Sequence, residues 1–262
     1  MTAPAELGPR DTAPDHHDNP IKGTLGKVWS PQLRNERDVD IYLPYSYSTG
    51  RRYPVVYMQD GQNLSDPAIA FAGTWRLDDV LRSLGDRGIE PIVVGVHNTA
   101  DRLSEYSPFP DRKHGGGDGD AYLSFIADTL KPQIDRLFRT RRAASHTAIA
   151  GSSMGGLIAL YAWFRRPDAF SSAAALSPSL WFGRDRLVEF IRQARAPKGR
   201  LYLDTGTAEG AGTLRDARAM RALLAAKRLG RAFRYVEDRG GRHEEAAWGR
   251  RLEGALRFLF AS

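Results

Sequence analysis

The chain has 262 residues, of which 42% are hydrophobic, a length that supports one sizeable core and is short for two domains. No apolar run is long enough to span a membrane, and the first twenty residues lack the apolar segment of a secretory signal. We therefore expect a disordered tail over 1–20, a single domain over 21–262 and no membrane contact. The expected location is cytoplasmic, with a secreted form that has lost its leader as the alternative. Zero cysteines exclude disulfides and a thiolate nucleophile.

The net charge is +7, from 38 basic and 31 acidic residues. Such an excess could indicate a nucleic-acid partner. The basic residues are interleaved with acidic ones, however, and no basic cluster contains aromatic side chains for base stacking. The pattern favours a solvated, Arg-rich surface without nucleic-acid binding, compatible with a mild preference for anionic substrates.

From Val39 onward, short β-branched or apolar runs alternate with longer amphipathic ones, and the short runs predict strands. The predicted strands are 39–44, 54–59, 91–97, 146–151, 171–177, 200–206 and 231–237. Several of them are apolar almost throughout, which is typical of strands buried on both faces of a parallel sheet.

The amphipathic runs predict helices near 75–85, 121–138, 154–166, 184–195, 213–229 and 246–260. Strands that alternate with helices predict an α/β protein with a mostly parallel central sheet and helices on both faces. In such a fold, ligands bind at the carboxyl ends of the strands.

Two long connections, 60–73 and 98–120, leave the carboxyl ends of predicted strands, where functional loops are expected. The glycine-rich part of the second, "GGGDGD", is not followed by Gly-Lys-Ser/Thr, so we interpret it as a flexible entry to the next helix rather than a phosphate-binding loop. No metal-ligand spacing is present, and we expect neither metal nor cofactor.

A strand-turn-helix segment, "TAIAGSSMGGLIALYAWF", contains two adjacent serines, of which Ser153 stands at the centre of G-x-S-x-G (Gly151 to Gly155). The equivalent frame around Ser152 would need glycines where Ala150 and Met154 stand. A nucleophile on such a tight turn has strained backbone angles, and larger side chains two residues away would collide with neighbouring elements. Ser153 is therefore the predicted nucleophile, at a helix N-terminus that favours developing negative charge.

A serine nucleophile needs a base, and in folds with this turn the order along the chain is serine, acid, histidine. Of the six histidines, His243 alone follows Ser153. It lies between the last predicted strand and the last predicted helix, and we predict that it is the general base.

The acid is less determined by the sequence, since several carboxylates lie between Ser153 and His243. The partner should follow the strand 200–206, so that it reaches the imidazole and fixes its tautomer. Glu209 lies in that loop and is the preferred acid. Asp204, inside the strand, is the alternative: it could be the acid itself, or it could support the acid without contacting the imidazole.

Two backbone N–H groups are predicted to form an oxyanion hole. One is the N–H of Met154, directly after the nucleophile, and the other that of Gln62 in "DGQN" after the strand 54–59. Gly61 would let this loop approach the substrate closely. An ordinary Asp-Gly turn is the alternative interpretation.

Several separated motifs resemble the putative esterase family of α/β-hydrolases, which includes enterochelin esterases, feruloyl esterases and S-formylglutathione hydrolases. They occur in the expected order: "SPQLRNERDVDIYLPYSY", "YMQDGQNLSD", "EYSPFP", "GSSMGGLIALYAWFRRPDAFSSAAALSPSLWF", "LDTGTAEG" and "GGRHEEAAWGRRL". The resemblance spans about residues 27 to 260. It implies an α/β-hydrolase fold, Ser153 as nucleophile, His243 as base, Glu209 in the place of the acid, and an oxyanion loop at "DGQN". It also implies that "LSPSLWF" sets Trp181 beside the pocket.

Together these features predict a serine esterase without a large lid that hydrolyses a small-molecule ester through an acyl-enzyme. Tyr106, Trp181 and Trp248 are candidates to line the pocket, with packing as the equal alternative. An acyltransferase or thioesterase on the same residues, or a non-catalytic binding scaffold, are the competing interpretations.

Overall fold

The computed structural model describes residues 21–48, 50–70 and 73–260, so the expected tail over 1–20 lies outside the described residues. Eight strands form one sheet in this part of the chain. They are β1 (Ile21–Ser30), β2 (Asn35–Leu43), β3 (Val55–Gln59), β4 (Ile92–Val96), β5 (Thr147–Ser152), β6 (Ser172–Leu176), β7 (Leu201–Gly206) and β8 (Phe233–Asp238).

The strand order is β1-β2-β4-β3-β5-β6-β7-β8. β2 pairs antiparallel with both β1 and β4, and every other pairing is parallel. The strands other than β2 therefore run in one direction, and the predicted mostly parallel sheet is confirmed. Their carboxyl ends meet at one edge, which is where the predicted functional residues follow them.

Eight α-helices connect or follow the strands among the described residues. They are α1 (Leu77–Gly85), α2 (Arg102–Glu105), α3 (Gly119–Ser124), α4 (Lys131–Leu137), α5 (Met154–Arg165), α6 (Arg184–Gln193), α7 (Ala211–Ala226) and α8 (Glu245–Phe260). A π-helical segment, Phe125–Leu130, joins α3 to α4. None of the described helices combines the length and apolar character needed to cross a membrane.

The helices cover both faces of the sheet, because successive side chains of a buried strand point to opposite sides. In β3, Val55 and Tyr57 belong to one hydrophobic cluster, which contains the apolar faces of α3 to α7. Val56 and Met58 belong to the other, which contains those of α1 and α8. The six predicted helices and seven predicted strands are all present.

The strand β1 was not predicted, since "IKGTLGKVWS" contains two glycines and little continuous apolar character. Its pairing with β2 is what makes it a strand, and the register shifts between Thr24 and Lys27, next to Gly26 with φ +70°. An edge strand with one partner needs less apolar sequence than a central one.

The segment 98–120 is more ordered than an irregular loop. It contains α2. The glycine-rich stretch is hydrogen-bonded to Ser107, which follows α2: the Gly117 N–H donates to Ser107 Oγ at 2.9 Å and the Gly119 N–H to the Ser107 carbonyl at 3.0 Å. Short-range pattern missed α2 because it is only one turn long.

Candidate active site

The turn between β5 and α5 carries Ser153 in a strained conformation, with φ 54° and ψ −120°. These angles are energetically unfavourable for a residue other than glycine, and they persist only where the surrounding structure enforces them. Here the Ser153 N–H donates to the Leu176 carbonyl at 3.0 Å, and its carbonyl accepts from the N–H of Leu157 at 3.0 Å. The hydroxyl is thereby held at the N-terminus of α5, above the carboxyl end of the sheet.

The flanking glycines are required for space. A Cβ on Gly151 would lie 2.7 Å from the Gly155 carbonyl carbon, and one on Gly155 would lie 2.9 Å from Gln59 Cβ. Both contacts are shorter than van der Waals distance, so β3, β5 and α5 could not approach as they do with any larger residue. This is the collision that the G-x-S-x-G pattern led us to expect.

Three side chains from different loops form a continuous chain of hydrogen bonds. His243 Nε2 lies 3.0 Å from Ser153 Oγ, and His243 Nδ1 lies 2.8 Å from Glu209 Oε2. Glu209 follows β7 and His243 follows β8, so parallel neighbours deliver both groups to the same edge as the serine. Because a carboxylate only accepts, Nδ1 carries the proton and Nε2 is free to accept the serine hydroxyl proton.

The Glu209 side chain is fully buried, whereas that of His243 is 41% exposed. Burial by itself would raise the pKa of Glu209, but hydrogen bonds from His243, from the Ser177 hydroxyl and from the Gly206 N–H outweigh it and lower that pKa. Glu209 therefore stays ionised at neutral pH, the state that an imidazole-orienting acid needs.

Asp204, the alternative acid, contacts groups other than the imidazole. It is fully buried, accepts the Ser177 N–H at 3.0 Å, and lies 3.0 Å from Arg251 Nε, a close ion pair whose angle is not that of a hydrogen bond. Burial raises the pKa of Asp204 to about 7, although the Arg251 charge acts in the opposite direction. The geometry favours Glu209 over Asp204 as the partner of His243.

The loop after β3 is held in place by hydrogen bonds from residues of the segment 98–106, here called the clamp. Asp60 has φ 56°, and its carboxylate accepts from Arg102 Nε and Nη2 at 2.7 and 2.8 Å and from Asn98 Nδ2 at 2.6 Å. A bidentate Arg–carboxylate pair with little exposure gives a fixed geometry. The 3₁₀ helix Gly61–Asn63 that follows is held in place by this clamp.

The predicted oxyanion donors stand at the starts of two helices. Within the described residues, neither the Met154 N–H nor the Gln62 N–H donates a hydrogen bond outside its own helix. First-turn N–H groups have no intrahelical acceptor and can serve a bound anion. Gly61 packs against β4, since a Cβ there would lie 2.5 Å from the Gly95 carbonyl carbon. Their contact with an oxyanion stays a prediction.

The three predicted pocket aromatics have different surroundings. Tyr106 is fully buried and its hydroxyl accepts the Asp60 N–H at 3.3 Å, so the prediction that it lines the pocket is wrong: it supports the loop from beneath. Trp248 is 5% exposed and packs edge-on against the His243 ring, with centroids 4.8 Å apart. Trp181 is 50% exposed and remains available to a ligand.

Trp181 borders a cavity of about 250 Å³, here called the rim cavity, between the loop after β6 and the start of α7. It is lined by Pro178, Leu180, Trp181, Arg184, Gly212, Thr213, Arg215 and Asp216. The lining therefore combines apolar side chains with two guanidinium groups and one carboxylate. Within the described residues, no group of three or more His, Asp or Glu side chains is placed to hold a metal ion.

Sequence reasoning missed three residues that contact the candidate site. Ser179 Oγ lies 3.1 Å from Ser153 Oγ, and Ser177 Oγ donates to Glu209 Oε1 at 2.5 Å. Arg251 Nη2 donates to Ser177 Oγ at 2.7 Å. The available signal was the helix period, because Arg251 shares the buried face of α8 with Trp248 and Leu252, where a charged side chain needs a partner.

With the fold and the geometry of Ser153, His243 and Glu209 described, comparison with known families gives the class of protein. The family described as putative esterase matches residues 30–259. The chain belongs to this esterase family, and it is a carboxylic ester hydrolase.

Several curated proteins are similar in sequence to part or most of this chain. The uncharacterised protein YbbA of Bacillus subtilis is 31% identical over 197 residues, covering 72% of this chain and 74% of YbbA. The endo-1,4-beta-xylanase/feruloyl esterase of Xylanibacter ruminicola is 27% identical, covering 88% of this chain but 30% of that protein. The ferri-bacillibactin esterase BesA of Bacillus subtilis is 29% identical, covering 63% of this chain and 61% of BesA.

Solved structures share the fold. The BES protein from Bacillus cereus superposes with a TM-score of 0.75 at 20% identity, covering 98% of this chain and 100% of that chain. The enterobactin esterase FES from Shigella flexneri gives a TM-score of 0.76 at 22% identity, covering 91% of this chain and 58% of that chain. At these identities the similarity supports the α/β-hydrolase fold.

Proposed function

We propose that this esterase works through an acyl-enzyme formed on Ser153, with His243 as general base and Glu209 as the orienting acid. The observation that carries the proposal is the unbroken pair of hydrogen bonds, 3.0 Å from Ser153 Oγ to His243 Nε2 and 2.8 Å from His243 Nδ1 to Glu209 Oε2. The strained backbone at Ser153 supports it, since such strain concentrates at functional positions.

In the first half-reaction, His243 Nε2 takes the proton of Ser153 Oγ as that oxygen attacks the ester carbonyl carbon. The carbonyl oxygen becomes negative and accepts hydrogen bonds from the N–H groups of Met154 and Gln62. The imidazolium then protonates the leaving alcohol as the carbon–oxygen bond breaks, and the acyl group stays on Ser153. Glu209 stabilises the imidazolium and remains ionised throughout.

In the second half-reaction, a water molecule replaces the alcohol. His243 Nε2 takes a proton from this water, whose oxygen attacks the acyl carbon, and the same proton returns to Ser153 Oγ when the acid product leaves. Because the His243 side chain is 41% exposed, water can reach the imidazole without a lid opening.

For the substrate class we propose an ester that carries an aromatic or acidic group. The rim cavity supports this, because Trp181 offers an exposed indole and Asp216 is shared by the Arg184 and Arg215 guanidinium groups, the latter at 3.2 Å. Relatives named as siderophore and feruloyl esterases are consistent with this proposal. A panel of esters differing in aromaticity and charge, measured with the wild-type chain and Arg184→Gln, tests the class: KM should rise for carboxylated esters alone.

The mechanism is tested with the two adjacent serines. Ser153→Ala should lower hydrolysis of p-nitrophenyl acetate by at least about 10⁴-fold, because the nucleophile is lost. Ser152→Ala is the matched control and should stay within about tenfold of the wild type, since that side chain is buried in β5. Thermal melting should show both variants folded. Turnover retained by Ser153→Ala, or labelling of that variant by a fluorophosphonate, would contradict the proposal.

A further inference from the structure

A buried charge cluster surrounds Arg251, next to the Glu209 carboxylate of the candidate site. Arg251 is 7% exposed. Its Nε lies 3.0 Å from Asp204, its Nη1 3.1 Å from Asp238 and its Nη2 3.6 Å from Glu209. Its Nη2 also donates to Ser177 Oγ at 2.7 Å. One guanidinium thus faces three carboxylates that lie in or directly after β7 and at the end of β8.

The hydrogen-bond directions in this cluster follow from the chemistry of its members. Arg251 can only donate, so Ser177 Oγ accepts from it. The single hydroxyl proton of Ser177 is then directed to Glu209 Oε1, 2.5 Å away. Ser177 itself has φ 42°, and its N–H is held by Asp204 Oδ1 at 3.0 Å. The contacts form a directed series from Arg251 through Ser177 to Glu209.

This series divides the two oxygens of the Glu209 carboxylate between two tasks. Oε1 accepts the Ser177 hydroxyl and, at 2.7 Å, the Gly206 N–H. Oε2 is left for His243 Nδ1 at 2.8 Å. A carboxylate with one oxygen fixed by two donors cannot rotate away from the imidazole, so the tautomer and tilt of His243 depend on these donors.

A buried position is energetically unfavourable for the charged Arg251 side chain, which argues for a specific role. Burial disfavours a guanidinium unless ion pairs and hydrogen bonds of good geometry compensate for the lost hydration. Arg250, the preceding residue of α8, is exposed, and within the described part of the chain its side chain donates only to the Ala246 carbonyl, at 3.3 Å. The contrast between these adjacent arginines separates a general contribution of positive charge from the contacts made inside the cluster.

We propose that Arg251 is a positioning residue for the triad acid, acting through the Ser177 hydroxyl to hold Glu209 in the orientation that serves His243. The inference rests on the proposed function of Ser153, His243 and Glu209. Without Arg251, the Ser177 hydroxyl is free to rotate, the Glu209 carboxylate loses a fixed donor, and the imidazole is oriented less tightly. Because Arg251 is buried and its guanidinium is engaged by protein groups, we expect substrate affinity to be unaffected.

The first experiment compares Arg251→Met with Arg250→Met, using hydrolysis of p-nitrophenyl acetate. Arg251→Met should lower kcat by about 10- to 100-fold and leave KM within about threefold, as expected when orientation alone is lost. Arg250→Met should keep kcat within about twofold. A rise in KM at unchanged kcat for Arg251→Met, or equal losses in both variants, would overturn the proposal.

The decisive measurement is a double-mutant cycle with Glu209→Gln. If Arg251 acts through Glu209, Arg251→Met should cost less than about threefold in kcat when Glu209→Gln is already present. A loss that is the same in both backgrounds would mean that Arg251 does not act through the acid, and the proposal would fail.

Ser177→Ala keeps the test open if Arg251→Met does not fold. It should lower kcat by about 5- to 50-fold with KM unchanged, and again by much less in the Glu209→Gln background. A kcat within twofold of the wild type would overturn the relay. The inference also fails, while the proposed nucleophile stands, if Glu209→Gln is fully active but Ser153→Ala is inactive.

Discussion

Two imidazole–carboxylate pairs lie at the carboxyl edge of this sheet, and they differ in what the second ring nitrogen of the histidine meets. His243 Nδ1 is 2.8 Å from Glu209, and His97 Nε2 is 3.1 Å from Asp40. Both carboxylates are nearly or fully buried. The second nitrogen of His243 meets Ser153 Oγ at 3.0 Å, whereas the His97 ring packs against the predicted oxyanion loop, where a Cβ on Gly61 would lie 2.9 Å from its Cδ2.

The comparison teaches that a histidine bonded to a buried acid is not by itself a catalytic pair. Burial alone would raise the pKa of Asp40, but hydrogen bonds from His97 and Thr24 outweigh it and lower that pKa, much as at Glu209. The two acids are therefore similar in charge state. What separates the pairs is the strained serine at the far nitrogen of His243, and the more exposed ring, 41% against 16%.

The largest expected contrast is between the two histidines. His243→Ala should lower kcat/KM for p-nitrophenyl acetate by about 10³- to 10⁶-fold, because the serine loses its base. His97→Ala should cost less than about tenfold, through loosened packing on Gly61. Comparable losses in the two variants would remove the distinction between the pairs.

The acids should differ in the same direction by a smaller margin. We expect Glu209→Gln to lower kcat by about 10- to 10³-fold, since an amide neither fixes the tautomer nor stabilises the imidazolium. For Asp40→Asn we expect kcat within about threefold and a lower melting temperature, because Thr24, His97 and Lys22 then face a neutral amide in place of a buried carboxylate. Full activity of Glu209→Gln would leave a Ser–His dyad.

The contact between His97 and the oxyanion loop can be tested at Gly61. Gly61→Ala should displace the loop and lower kcat by about tenfold or more, since the added carbon would lie 2.5 Å from the Gly95 carbonyl carbon. Gly254→Ala, where the added carbon meets nothing within 4 Å, should leave kcat unchanged and stabilise α8 by up to about 1 kcal/mol. Equal effects of the two substitutions would show that the close approach is dispensable.

The smallest expected effect concerns pH and the third buried acid, Asp204, behind Glu209. Burial raises its pKa to about 7, above the unfolded value of 3.8. A raised folded pKa contributes stability that is complete below pH 3.8 and is lost as pH rises through about 7. The melting temperature of Asp204→Asn relative to the wild type should therefore improve between pH 5 and pH 8. A constant difference would show that Asp204 does not titrate in this range.

Local pattern predicted most of the fold, because burial on both faces and helical amphipathicity are written in consecutive residues. Seven strands and six helices followed from it, and they are present. The edge strand β1 and the one-turn helix α2 did not, since the first depends on pairing with β2 and the second on contacts from Asp60. Such elements are stabilised by partners distant in sequence.

The sequence alone determined the serine turn and the one histidine downstream of it, because the steric demands of G-x-S-x-G act within a few residues. Tertiary structure decided what lies around them. Glu209 rather than Asp204 reaches His243, and Arg251 rather than Arg250 is buried. Tyr106 is buried against the predicted oxyanion loop instead of lining a pocket. These outcomes depend on desolvation and on hydrogen bonds between residues far apart in the chain, and a run of neighbouring residues does not encode either.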